Sequence, residues 1–169
     1  MPRQQVETYL GNVNVKKDGV QQDWTEEEIV EYQRCFDDPV YFTQTYVKIV
    51  SLDEGLVPFS LYPYQNKMFG HFNDNRFSIV LACRQSGKSI SVCAYLLWYV
   101  LFNPEKTVAI LANKGQVARE MLARVTLMLE NIPFFLQPGC KALNKGSLEF
   151  SNNSRIIASA TSGSSIRGL

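Results

Sequence analysis

Lys88 follows Gly87 and precedes Ser89, and residues of these types in this order can hold phosphate. An ammonium on a flexible stem reaches β- and γ-phosphate oxygens, and the hydroxyl beside it is a ligand for Mg²⁺. Gly87 can take a backbone shape open to phosphate approach, because it has no Cβ. Ala82, Cys83, Arg84, Gln85 and Ser86 precede it. Backbone N–H groups from Gln85 to Ser89 would point at phosphate oxygens. The usual pattern opens on glycine, and alanine stands here at that position. Arg84 puts a second cation inside the loop. A guanidinium there can lie along a transferring phosphoryl group, as an arginine finger supplied in cis, or can be a plain surface arginine.

Such a loop needs a strand before it and a helix after it. Phe77 to Cys83 reads as a buried strand, and Gly87 to Phe102 reads as a helix that is almost all apolar. Strand, Gly-Lys-Ser, helix is the order that places a helix N-terminus under a nucleoside triphosphate. Pro104 follows as a stop signal. Thr107 to Ala112 predicts a second buried strand, and Gln116 to Leu129 an amphipathic helix with Val117, Met121, Val125 and Met128 on one face. Ser147 to Phe150 and Arg155 to Ser159 predict short strands, and residues 162–169 a loop. Strands alternating with long helices argue an α/β fold with a parallel sheet. The nucleotide would sit at the carboxyl end of the Phe77–Cys83 strand.

Upstream, residues 1–23 are polar and read as a flexible arm with a weak hairpin. Thr25 with Glu28 is a capping box, so a helix starts near Glu26, with Ile29, Tyr32, Gln33 and Phe36 on one face. Asp38-Pro39 is an N-cap followed by proline at the first helical position, opening a second helix to about Tyr46. Residues 47–60 alternate around Asp53-Glu54-Gly55 as a hairpin. Pro63 opens a helix reaching His71. The domains expected are an arm over 1–23, a helical lead-in and hairpin over 24–60, and a partial nucleotide-binding domain over 61–169.

The 169 residues are 46% hydrophobic and 20% charged, so a packed core is expected and wholesale disorder is not. A net charge of +1 excludes a strongly basic nucleic-acid footprint, though not a local patch. Cys35, Cys83, Cys93 and Cys140 show no paired spacing, and His71 is the one histidine. That pattern argues against zinc and disulfides and for reduced thiols in a cytosol. The apolar run from Ile90 to Phe102 falls short of the roughly 20 residues a spanning helix needs, so no membrane role is expected.

Residues 83–89, Cys-Arg-Gln-Ser-Gly-Lys-Ser, resemble the deviant phosphate loop of tailed-phage terminase large subunits, the ATPase motors that package viral DNA. Further blocks agree in order. Trp24-Thr25 and residues 37–42 are similar to the segment leading into the motor domain, Tyr62-Pro63-Tyr64-Gln65 to the adenine motif, and residues 109–115 to the second strand and its exit loop. Residues 134–139, 144–147 and 165–168 recur as well. The resemblance covers about residues 23–169. It implies a P-loop NTPase-type sheet flanked by helices. Tyr64 would stack on adenine and Gln65 would read its edge. Lys88 and Ser89 would take the phosphate and Mg²⁺ roles, with Arg84 as a catalytic or sensing arginine. Arg167-Gly168 would belong to a mobile loop near the nucleotide or a neighbouring subunit. ATP and Mg²⁺ are the implied cofactors. Double-stranded viral DNA, the portal and the small terminase subunit are the implied partners, in the host cytoplasm.

Hydrolysis also needs a metal-binding acid and a carboxylate that orients water. No apolar run ending in Asp-Glu follows Ser89, and Asp53-Glu54 is read as a hairpin turn. The chain is therefore expected to be the front part of a motor, binding ATP weakly and hydrolysing it negligibly alone. A second polypeptide could carry the other half. Two alternatives stand beside this: a helicase-like DNA-remodelling ATPase fragment, and a non-catalytic nucleotide-binding or interaction module derived from a truncated motor.

Overall fold

The computed structural model describes residues 8–51 and 53–161, and the Arg167-Gly168 segment lies outside them. Helix α1, Glu26–Asp37, starts as its capping box requires: Thr25 Oγ1 accepts from the Glu28 amide at 3.2 Å and Glu28 Oε2 accepts from the Thr25 amide at 3.1 Å. Asp38 caps α2, Pro39–Tyr46, accepting from the amides of Val40 and Tyr41 at 2.8 and 3.1 Å. The Glu31 carboxylate ties the two helices together, accepting from the Tyr41 and Tyr46 hydroxyls at 2.7 and 2.9 Å. Cys35 and Tyr32 face inward on α1, while Ile29 is 54% exposed, so the buried stripe is rotated from the one the sequence predicts.

Upstream of α1, β1, Thr8–Tyr9, and β2, Asn12–Lys16, form an antiparallel ribbon within the segment expected as an arm. It is seated on the body. Val15 is fully buried, Gln137 Oε1 accepts from the Lys16 amide at 3.0 Å, and the Gln137 amide nitrogen donates to the Asn14 carbonyl at 3.0 Å.

After α2, β3, Lys48–Ser51, pairs antiparallel with β4, Gly55–Pro58. Asp53 and Glu54 sit exposed in the turn at the tip, as the hairpin reading expects. Helix α3, Pro63–Asp74, leads to the extended segment before the phosphate loop. Helix α4, Lys88–Phe102, is the centre of the core: Cys93, Ala94, Leu97 and Val100 are fully buried. Its Trp98 donates to the Cys35 carbonyl at 2.8 Å, fixing α4 to α1.

The main sheet holds β5, Thr107–Ala112, β6, Cys140–Leu143, β7, Ser147–Phe150, and β8, Arg155–Ala160. Its order is β5-β8-β7-β6; β5 and β8 run parallel in register from Thr107↔Arg155 to Ala112↔Ala160, and the other two pairs are antiparallel. The turn before β8 closes over the end of α4. There the Asn152 amide nitrogen donates to the Val100 and Leu101 carbonyls at 2.8 and 3.2 Å, and Ser154 Oγ to the Asn103 carbonyl at 2.6 Å. Helix α5, Gly115–Leu129, packs between α4 and the sheet through Ala118, Leu122, Val125 and Leu129. Val117, predicted to face inward, is 41% exposed. An element covered on two sides buries a different stripe from the one its most apolar residues mark.

Two expectations are corrected. The chain is α/β, but its sheet is mixed rather than the parallel sheet of the predicted phosphate-loop fold. Residues 77–83 form no strand: they lack a ladder, and Phe77, Ile79 and Leu81 are 82%, 99% and 100% exposed. An apolar run can be a buried parallel strand only where neighbours lie at ladder distance on each side and helices cover both faces. Among the described residues β5 pairs with β8 alone, and no strand joins residues 77–83 to it.

Candidate functional site

The loop from Cys83 to Gly87 enters α4 through two residues in the left-handed region, Gln85 at φ 62° and Gly87 at φ 77°. Glycine adopts that shape freely, whereas for glutamine it costs on the order of 1 kcal/mol. Successive amides turned by such residues form an anion-binding concavity, and the first turn of α4 adds unpaired N–H groups at its positive end. Ser91 Oγ donates to the Gly87 carbonyl at 3.0 Å, and Ser91 itself is buried, which anchors the loop's exit.

The loop also closes on itself. The Lys88 ammonium donates to the Cys83 carbonyl at 2.9 Å, and Ser86 Oγ donates to the same oxygen at 3.0 Å. Lys88 and Ser89 are half-buried, and Arg84 and Gln85 are exposed. The sequence-predicted loop residues therefore share one small region. Arg84 is exposed, and both of its readings are compatible with this placement.

Tyr64 and Gln65 come to the loop from the first turn of α3. The Tyr64 hydroxyl donates to the Ser86 carbonyl. Tyr62 stacks on the Tyr64 ring, with centroids 5.9 Å apart and planes within 10°. Tyr62, named in the sequence only as part of the Tyr62-Pro63-Tyr64-Gln65 block, is placed here against the Tyr64 ring. Gln65 is buried, and its Oε1 accepts from the Tyr62 amide at 2.8 Å. A cleft of about 460 Å³ lies beside this junction, between α3 and the extended segment, lined by Tyr64, Lys67, His71, Ser78, Val80 and Ala82. A larger groove on the outer face of α5, with Arg119, Glu130 and Lys145, includes no phosphate-loop residue.

Burial separates the cysteines. Loss of hydration pushes the Cys35 thiol up to about 12 and those of Cys93 and Cys140 up to about 11, which disfavours the reactive thiolate form of these three. Cys83, in the loop, is the exposed one, and all four are free thiols. No helix among the described residues is long and apolar enough to cross a membrane.

The family model of the terminase large subunit, T4likevirus-type, N-terminal, matches residues 79–168. The match takes in the extended segment from residue 79, the whole phosphate loop, α4, α5 and the main sheet, while Tyr64 and Gln65 lie before it. It spans more than half of the chain, which belongs to the N-terminal family of terminase large subunits of T4-like-virus type.

Proposed function

We propose that this chain is the ATP-binding part of a viral DNA-packaging motor, and that residues 82–89 hold the triphosphate. One observation carries the reading: the Lys88 ammonium, the N-terminus of α4 and the two left-handed residues all belong to one short loop, half-buried at Lys88 and Ser89. The donor set fits an anion. Backbone amides from Gln85 to Ser89, the Lys88 ammonium and the Arg84 guanidinium supply positive charge, and in this set Ser89 is the ligand suited to Mg²⁺. A triphosphate would take the Lys88 ammonium from the Cys83 carbonyl, exchanging a neutral acceptor for a charged one.

The Tyr64 ring, 44% exposed beside the loop, supplies a face for the adenine. ATP hydrolysis belongs to the motor as a whole, with Arg84 acting on the transferring phosphoryl group and Lys88 on its charge. Double-stranded DNA, the portal and the small subunit are the proposed partners of that motor. Titrating Mg²⁺-ATP against the chain and its Lys88→Ala variant tests the reading. Saturable binding that the variant weakens by about 10- to 100-fold is expected, and equal affinity in the two proteins would remove the phosphate-loop assignment.

A further inference from the structure

The first turn of α3 meets the phosphate loop at two points. At one, the Tyr64 hydroxyl holds the Ser86 carbonyl. At the other, Gln65 Nε2 lies so near Gly87 that a Cβ there would stand 2.7 Å from it. Ser86 sits between Gln85 and Gly87, the two residues with left-handed backbone. Such backbone persists where its surroundings over-determine it. Gripping Ser86 and packing against Gly87 is that kind of constraint.

Gln65 is badly placed to recognise a base. It is 1% exposed, and its oxygen is already engaged by the Tyr62 amide at 2.8 Å. A carboxamide that reads a base edge must offer its acceptor and its donor to the ligand. This one has its acceptor inside α3 and its nitrogen against the loop backbone.

We propose that the Tyr64 hydroxyl and the Gln65 carboxamide are positioning groups that brace the phosphate loop from α3, and that Gln65 does not read the base. The proposal rests on the phosphate-loop reading above and replaces the base-edge role expected for Gln65. It leaves the Tyr64 ring as a stacking surface.

The test compares Mg²⁺-ATP with inorganic tripolyphosphate, which has no base, on the full chain and on Tyr64→Phe and Gln65→Met. A brace predicts that each variant weakens both ligands by the same factor, about 5- to 20-fold. Loss of ATP affinity with tripolyphosphate binding unchanged overturns the proposal and restores base reading; no loss for either ligand overturns it too. Amide hydrogen exchange without ligand gives an independent readout. Exchange in peptides spanning residues 83–90 should rise several-fold in both variants while α5 and β8 stay unchanged. Unchanged loop exchange, or a rise throughout the chain, counts against the brace. If the unaltered chain binds neither ligand, the phosphate-loop reading falls, and the exchange measurement still decides whether α3 braces the loop.

Discussion

The Lys88 ammonium is held 2.9 Å from the carbonyl of Cys83, five residues earlier in the same loop. The cation that the proposed site needs is thus already folded back on its own loop, pointing at backbone. Replacing Lys88 with alanine removes a bond that a triphosphate would inherit. We predict a fall in ATP affinity of about 10- to 100-fold, the range for a charge-assisted hydrogen bond. The thermal midpoint should move little, because the ammonium serves a half-exposed loop. Isothermal titration and a melting curve on the same preparation check both halves.

Gly87→Ala should cost more than Gly55→Ala. Both glycines have left-handed backbone, at φ 77° and 74°, so both substitutions carry a similar conformational cost of about 1 kcal/mol. A Cβ at position 55 meets nothing within 4 Å, while one at 87 stands 2.7 Å from Gln65 Nε2. Urea unfolding of the two variants should therefore differ by the clash alone. Equal losses would mean that Gln65 yields freely.

Trp98→Phe deletes the indole bond to the Cys35 carbonyl, a buried contact between α4 and α1. The expected loss is about 1–3 kcal/mol, since a buried carbonyl is left without its donor. Chemical denaturation measures it, and ATP binding at low denaturant should survive.

Tyr46 predicts how stability falls in alkali. Burial first, then its hydrogen bond to Glu31, pushes its hydroxyl well above the usual phenolic value of 10. The folded state thus holds a proton that the unfolded chain releases above pH 10. The stability from this group is complete below pH 10 and is lost progressively as pH rises above it, towards the raised value of the folded state. Tyr46→Phe should flatten the decline between pH 10 and 11, measured by denaturant midpoints at each pH. An unchanged slope would assign the alkaline loss to other groups, the buried thiols among them.

The side chains of Phe77, Ile79 and Leu81 are almost wholly in water, in a run with no ladder. An exposed apolar segment of this kind is a template for pairing with another chain. Light scattering should show concentration-dependent association of the purified chain, reduced by the double substitution Ile79→Ser, Leu81→Ser. Identical scattering from the two proteins would place the association elsewhere.

Legibility in the sequence followed the range of the interactions. The capping box of Thr25 and Glu28, the Asp38-Pro39 cap and the tight turn at Asp53-Glu54 involve neighbours a few residues apart, and each stands where the sequence put it. The bounds of β5 and α4 were legible because proline, glycine and apolar runs punctuate them. Residues 77–83 were misread for the opposite reason. Their composition suits a central strand, but a strand exists only where a partner supplies a ladder, and composition does not name the partner. The short β6 went unseen because its pairing with β7, not its own pattern, makes it a strand. In the site, the Gly-Lys-Ser run was visible at once. The approach of Gln65 to Gly87 was not, because it joins two elements 22 positions apart.

Helix α4 has a bearing at each end. Its N-terminus carries the phosphate loop, and its last carbonyls are gripped by Asn152 from the turn that starts β8. Fifteen residues make a rod roughly 22 Å long. With Trp98 fastened to α1 partway along, such a rod swings more readily than it bends. A sub-ångström shift at Gly87 would then reappear at the β7–β8 turn as leverage on the sheet. A single stiff spar thus joins the loop to the far side of the domain.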